Sequence, residues 1–325
     1  LRWQQRDGLD TVLPYGVRRI HALRTLTTES VAVLMPFKAQ ELNHTNGIYY
    51  GQNAVAGNMI RIDRAQLLNG HSFRLGVSGS GKSMSAKEEL VEIALRTKDD
   101  ILILDPESEF GQLVKALGGE VLPISPHSSI HLNALDIDRA YGEGKNPLVD
   151  KVKLILSVFE PLTENGLTAR QRSILDRCAR LVYREYIRGG YRGVPPTLTD
   201  LRRVLLEQPE AEAHDLALAS ELYTTGSLNI FAHQTNVDTG ARILCYDIRE
   251  LDEQLRPVGM VVTLDAIFNR VIRNWRQGKR TWILADEFYI LFRYSFSAEF
   301  FYRLFKRMRK YNAFITAVSQ NVDEI

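Results

Sequence analysis

From Ser72 onward the chain alternates short apolar runs with stretches of helical periodicity, the texture of a parallel sheet whose strands are joined by crossover helices. The runs predict strands at Phe73–Val77, Ile101–Asp105, Glu120–Ile124, Arg242–Asp247, Trp282–Asp286 and Phe314–Val318. Short apolar runs of this kind suit strands buried on both faces. Between Pro147 and Gly226 the strand signals stop. Leu148, Val152, Ile155 and Phe159 recur at helical spacing, and Ile174, Cys178 and Leu181 repeat the pattern. Thr199-Asp200 before LRRVLLEQ reads as a cap and helix start. Upstream of Ser72, GIYYGQNAVAGNMIRIDRAQ (Gly47–Gln66) breaks at glycines and Gly-Asn pairs, as hairpins do. The expected fold class is α/β in three parts. A β-rich N-terminal segment, 1–70, packs on a core of 71–146 and 227–325 with a mostly parallel sheet, and an all-α subdomain, 147–226, is inserted into that core.

At 325 residues the chain has room for two domains, or for one large α/β domain with an insertion. Its 45% hydrophobic, 25% charged and 9% aromatic content excludes a disordered, collagen-like or disulfide-scaffolded chain. Lysine plus arginine total 41 against 39 acids, a net charge of +2, so global charge gives no argument for a nucleic-acid coat or an acidic-substrate trap. Cys178 and Cys245 form neither a CxxC pair nor a Cys/His cluster of zinc spacing, and suit a reducing cytosol. No apolar run approaches the roughly 18 residues of a membrane span, and nothing reads as a signal peptide. The start at Leu1 points to a piece of a longer protein.

The sharpest chemical signal is GVSGSGKS, Gly76–Ser83, which satisfies G-x-x-x-x-G-K-[ST] after an apolar strand and before a helix-like stretch. Glycine there lets the main chain wrap around phosphates, so that N–H groups and the helix N-terminus face the anion. Gly76, Ser78, Gly79, Ser80, Gly81, Lys82, Ser83 and Met84 are the candidate nucleotide-binding residues. Lys82 would reach the β- and γ-phosphates of ATP, and the Ser83 hydroxyl would ligate Mg²⁺. TWILADEF, Thr281–Phe288, supplies the acids such a loop needs at a neighbouring strand end. Asp286 would hold Mg²⁺, and Glu287 would polarise the attacking water as general base. A second acid beside the first favours hydrolysis over phosphoryl transfer to a small acceptor.

A second acidic strand end, ILILDPESEF (Ile101–Phe110), offers Asp105, Glu107 and Glu109 either as water-positioning groups or as a polar loop with a turn proline. Gln320 follows the last strand, where it could hydrogen-bond the γ-phosphate or the attacking water. FKRMRKYN carries Lys306, Arg307, Arg309 and Lys310, which by themselves read first as a solvated helix end, ahead of an arginine finger or a phosphate-backbone contact. Ser-His-Asp catalysis has no support, since there is no G-x-S-x-G elbow and no HExxH pair. His127 and His131 stand four apart, but Pro123 and Pro126 argue against a helix there and so against a metal pair. Lys82 and Asp286 lie 204 positions apart, too far for a compact small-molecule kinase without an insertion.

These motifs together resemble the C-terminal ATPase domain of the VirB/TraC-type conjugative-transfer ATPases of type IV secretion systems, within the FtsK/HerA superfamily. The resemblance runs almost end to end. VAVLMPF (Val31–Phe37) and GIYYGQNAVAGNMIRIDR (Gly47–Arg64) look like that family's segment before the nucleotide loop, GVSGSGKSMSAK like the loop and LDPESEF like its second acidic motif. WILADEF looks like its magnesium-acid strand, RKYN (Arg309–Asn312) like its basic motif and SQN (Ser319–Asn321) like its glutamine sensor. The resemblance implies a RecA-like P-loop NTPase core that binds ATP and Mg²⁺. Lys82 and Ser83 would sit on phosphate and metal, Asp286 on Mg²⁺, with Glu287 as base and Gln320 as sensor. Arg307 or Arg309 would act on a neighbouring subunit's nucleotide, and the spacing does not choose between them. It further implies a motor working as a hexamer with other secretion-system proteins, the isolated domain being monomeric or not. Such a motor would be cytoplasmic and peripheral at the inner face of the bacterial membrane. A HerA/FtsK-like DNA pump or conjugative coupling protein has the same chemistry on a DNA track, and the small net charge weighs mildly against it. A scaffold using nucleotide as a structural switch is disfavoured by the intact Lys82, Asp286 and Glu287. Family members continue past the position of Ile325 with a further strand and helix.

Overall fold

The structure is a computed structural model that describes residues 3–14, 16–20, 25–33, 41–142, 146–163, 166–289, 302 and 305–320. The chain divides into two compact units, Leu1–Leu42 with Gln52–Ile60, and Asn43–Gly51 with Arg61–Ile325. The first unit carries two short helices, α1 (Gln5–Val12) and α2 (Thr28–Val33), in the segment expected to be β-rich. Upstream of residue 70, the described β structure is the pair β1 (Ile48–Gln52) and β2 (Met59–Ile62), together with a bridge between Asn43 and Arg61. Asn53 shapes the turn between β1 and β2: its Oδ1 accepts the N–H groups of Val55 and Ala56 at 2.9 and 3.0 Å. Of the VAVLMPF motif, Val31–Val33 close α2, and positions 34–37 lie outside the described residues.

The second unit is built on a six-stranded sheet in which every pair is parallel. Its strands are β3 (Ser72–Leu75), β4 (Asp100–Asp105), β5 (Glu120–Pro123), β6 (Ile243–Asp247), β7 (Thr281–Ala285) and β8 (Ala313–Ser319), in the order β3-β8-β7-β4-β6-β5. All six expected strands are present. Parallel strands need crossovers, and the helices supply them. Helix α3 (Lys82–Arg96) follows β3, α4 (Gly111–Ala116) follows β4, and the long α11 (Leu255–Arg276) joins β6 to β7. Among the described residues, six α-helices fall between β5 and β6, where the strand signals stop: α5 (Pro147–Phe159), α6 (Ala169–Val182), α7 (Arg184–Arg188), α8 (Leu198–Leu206), α9 (Ala211–Ala219) and α10 (Glu221–Thr224).

Local chemistry starts these helices. Asn146 caps α5 ahead of Pro147, and Thr168 with Gln171 forms a capping box on α6. The start of α8 differs from expectation by two residues. Thr197 is the cap, and Asp200 is the third helical residue, reaching back to accept the Thr197 N–H at 3.0 Å. Thr199 sits inside the first turn, because the Thr-x-x-Asp spacing satisfies two end N–H groups and Thr199-Asp200 would satisfy one.

Side chains alternate across the strands into two apolar layers, which is why the runs read as continuously apolar. On one face Ile101, Ile103 and Cys245 pack with Leu90 and Ile93 of α3 and Val114 of α4. On the other, Leu102, Leu104 and Tyr246 pack with Val261 and Leu264 of α11 and with Ile155 and Phe159 of α5.

At the amino edge of the sheet, the fully buried Asp100 gathers Arg270 at 2.5 and 2.8 Å, Asn274 at 2.8 Å and the Lys279 ammonium. The cluster ties both ends of the α11–β7 connection to β4. Removing one partner of a buried ionic group leaves the others uncompensated, at a cost of about 3–5 kcal/mol. Asp100→Ala is expected to lower equilibrium stability by that order in chemical denaturation.

Beside β3, His71 Nδ1 accepts the Ile315 N–H at 3.1 Å and its ring lies 4.3 Å from that of Phe305. Burial, reinforced by the charges of Arg64 and Arg309, lowers its pKa from 6.5 to about 4. The folded chain keeps this ring neutral at pH values where the unfolded chain takes up a proton. Its contribution to stability is therefore complete above pH 6.5 and drains away as pH falls toward 4. His71→Asn should flatten the stability profile in that window, as read from urea midpoints measured between the two values.

Candidate active site

Because all six strands run parallel, their carboxyl ends share one edge, and that is where open α/β sheets place ligands. The phosphate loop leaves β3 there. Its first residue is stitched to the neighbouring strand by a Gly76 N–H bond to the Ser319 carbonyl at 3.4 Å. A Cβ at Gly76 would stand 2.6 Å from Ser80 Oγ, so a side chain there would push the Ser80 hydroxyl aside. Gly81, at φ +89°, turns the chain through the left-handed region into the first turn of α3. Ser78, Gly79 and Ser80 stand exposed on the loop between them, and Met84 lies exposed on the first turn. Lys82 is half-buried and donates to the Val77 carbonyl at 3.4 Å, folded across the loop, while Ser83 is half-buried at the helix N-terminus.

Two strands away, β7 ends at Ala285 and delivers Asp286 and Glu287, both buried. The Asp286 N–H bonds the Leu104 carbonyl at 3.1 Å, which continues the β7–β4 pairing one residue past the strand. Burial first, then the charge of Glu287, push the Asp286 carboxyl up to about 7, with Glu109 and Asp105 adding to the rise. It joins no described ion pair. An acid so crowded by like charge is what a bound cation relieves, and a hydroxyl with a carboxylate is a hard-oxygen set of the kind Mg²⁺ takes. Ser83 and Asp286 therefore fit that metal.

Glu287 has φ +43°, unusual for a residue with a side chain, and such strain is concentrated at functional sites. Its Oε1 accepts a 2.7 Å hydrogen bond from Nε2 of Gln320, one residue past β8. Its Oε2 is buried with no hydrogen-bond partner among the described residues. A carboxylate with one oxygen oriented by an amide and the other unsatisfied is arranged to accept a proton from water. Gln320, a weak signal in the sequence by itself, is thus the group that orients Glu287. Of the SQN motif, Asn321 lies outside the described residues.

The three acids after β4 separate by environment. Asp105 is consumed by its own loop: its two carboxylate oxygens accept the N–H groups of Glu109 and Phe110 at 3.0 and 2.9 Å. Burial raises its pKa. Ser108, in the left-handed region at φ +59°, donates to Asp247 at the end of β6 at 2.6 Å. Asp105 and Asp247 thereby pin the loop from two adjacent strands. Glu107 and Glu109 remain exposed, and of the two Glu109 bears on Asp286. The part played by Ser108 and Asp247 carries no spacing signature in the sequence, since the contact spans 139 positions.

The basic cluster is not brought to this edge. Arg307 and Arg309 are exposed and precede the amino end of β8, whose seven residues separate them from Gln320 by about 20 Å at the usual rise of a strand. They do not share an edge with their own chain's phosphate loop.

The comparisons with known proteins agree with this geometry. Residues 51–190, which include the phosphate loop and the Asp105 loop, match the family model of the helicase HerA central domain. No curated sequence relative matches the chain. Among solved structures, VirB4 of Thermoanaerobacter pseudethanolicus is similar with a TM-score of 0.75 at 22% identity, over 87% of this chain and 79% of that one. The bacterial conjugative coupling protein TrwB, in a trigonal form with sulphate, is similar with a TM-score of 0.53 at 16% identity, over 85% of this chain and 68% of that one. TrwB in complex with a non-hydrolysable GTP analogue gives a TM-score of 0.50 at 16% identity, over 78% and 64% of the two chains. The resemblance read from the motifs is borne out: the chain has the RecA-like P-loop NTPase fold, carries a HerA-type central-domain match and shares its architecture with VirB4.

Proposed function

We propose that the chain is the ATP-hydrolysing motor domain of a bacterial conjugative type IV secretion apparatus, converting ATP and water to ADP and phosphate. The observation that carries this reading is the hydrogen bond from the exposed Gln320, at the end of β8, to the buried Glu287, at the end of β7, with β8 lying between β7 and the strand that enters the phosphate loop. Gly76–Ser83 and Met84 would bind the nucleotide, with main-chain N–H groups and Lys82 on the phosphates. Ser83 and Asp286 would hold Mg²⁺, which would supply neutralisation of phosphate charge when bound. Glu287 would take the proton of the attacking water, oriented by Gln320. Arg307 or Arg309 would act on the nucleotide of a neighbouring copy, which their place at the amino edge supports, and a hexamer supplies such neighbours.

In this reading residues 147–226 form a helical subdomain on a core of 71–146 and 227–325, preceded by the segment 1–70. The partners are other secretion-system proteins, and the place of work is the cytoplasmic face of the bacterial inner membrane. No helix among the described residues is long and apolar enough to cross a membrane. The likeness to TrwB supports a second reading, a coupling protein or HerA/FtsK-like pump acting on DNA, with the same residues in the same roles.

Turnover measurements on the wild type and two variants, with and without DNA, test the proposal. Lys82→Ala is expected to lose nucleotide binding, and Glu287→Gln to bind ATP yet turn over about 10²–10⁴-fold more slowly. Wild-type turnover at the Glu287→Gln rate in every oligomeric state would refute hydrolysis, and strong stimulation by DNA would favour the second reading. Gln320→Ala separates orientation from binding. It should lower kcat by about 10–10²-fold, with ATP affinity within about two-fold of the wild type.

A further inference from the structure

The two flanks of the phosphate loop are joined by a side chain that belongs to neither the loop nor the acidic pair. Arg74, two residues before Gly76 on β3, donates to Ser85 Oγ at 2.7 Å and to Glu89 Oε2 at 2.9 Å, both on α3 beyond the loop. Glu89 is buried, and three further donors converge on it: Tyr50, Arg64 at 2.9 Å and Thr316 of β8 at 3.0 Å. Arg64 in turn donates to Thr316 Oγ1 and to the Ile315 carbonyl, both at 2.7 Å. Burial by itself would raise the Glu89 carboxyl, but the guanidinium groups of Arg64 and Arg74 outweigh it and hold the pKa below the ordinary value. The group is a fixed anion, and α3 is tied through it to β3 and β8 at once.

The geometry points to Arg74 as a positioning residue for nucleotide binding: its guanidinium, anchored on Glu89, sets the separation between the strand that enters the phosphate loop and the helix that leaves it. A loop whose N–H groups must converge on a phosphate gains affinity from flanks held in place before the ligand arrives. Arginine suits this task because its planar fork reaches two acceptors together, whereas a lysine ammonium is a point charge that gives the pair less definite geometry. Glu89 extends the same fixation to Thr316, four residues before Gln320, so the loop and the group that orients Glu287 share one anchor. No catalytic contact is assigned to Arg74.

The inference rests on the nucleotide reading of the loop, and one titration separates the two. The full chain is titrated with a fluorescent ATP analogue and with the matching ADP analogue, each with Mg²⁺. Wild type is compared with Arg74→Met, Arg74→Lys and Ser85→Ala, at a temperature where unfolding without nucleotide shows every variant folded. Arg74→Met is expected to weaken both nucleotides at least about ten-fold and equally, because the β-phosphate is common to both. Arg74→Lys should recover part of that loss, and Ser85→Ala, which removes one arm of the fork at an exposed hydroxyl, should weaken binding about three-fold. Folded variants that bind both nucleotides like the wild type overturn the positioning role, even if they are less stable. If Arg74→Met does not fold, Arg74→Lys and Ser85→Ala carry the test, and wild-type affinity in both overturns it. A wild-type chain that binds neither analogue overturns the nucleotide reading, and the positioning role with it.

Discussion

The candidate site is assembled, among the described residues, by the parallel register of one sheet. With all strands pointing the same way, the ends of β3, β8, β7, β4 and β6 emerge side by side, and each contributes a different piece. β3 gives the phosphate loop, β8 gives Gln320, β7 gives Asp286 and Glu287, and β4 and β6 give the two acids that pin the loop at 106–110. β8 lies between β3 and β7, so the amide of Gln320 reaches Glu287 from the strand that also takes the first N–H bond of the phosphate loop. Reversing or displacing any one strand would carry its residues to the far edge, about the length of a strand away. The helical block between β5 and β6 leaves this arrangement undisturbed, since it enters and leaves at the end of the sheet farthest from β3.

Much of this architecture is legible in the sequence, for identifiable reasons. The four inner strands β8, β7, β4 and β6 are recognisable because both faces of the sheet are covered there, so nearly every position is buried and the runs stand out from the amphipathic helices around them. The phosphate loop and the Asp286-Glu287 pair are recognisable because their chemistry is local: glycines at the turns, acids immediately after an apolar run. What is not legible is what depends on contacts distant in sequence. Ser108 meets Asp247 across 139 positions, Arg64 meets Thr316 across 252, and Asp100 collects partners from 170 or more positions away. Nothing in the neighbourhood of these residues distinguishes them from solvated charges. The helical stretches at 5–12 and 28–33 escape notice for a different reason. They are six to eight residues long, and helices that short have little propensity of their own to announce.

The same register that gathers the acids sends Arg307 and Arg309 to the opposite edge, and this bears on how a site is completed. A developing negative charge on the γ-phosphate calls for cations, and within one chain the phosphate loop offers Lys82 and the metal that Ser83 and Asp286 fit. The exposed arginines lie about a strand's length from that loop. Each copy therefore presents an edge that carries the candidate phosphate loop and its acids and, at the other end of its strands, a basic turn. Two such unlike surfaces are complementary to each other rather than to themselves, so the arrangement that pairs them is head-to-tail, and a head-to-tail contact repeated through a closing rotation makes a ring. In the proposed hexamer each interface would then hold one complete site, and the free energy of nucleotide binding would be spent across the boundary between copies.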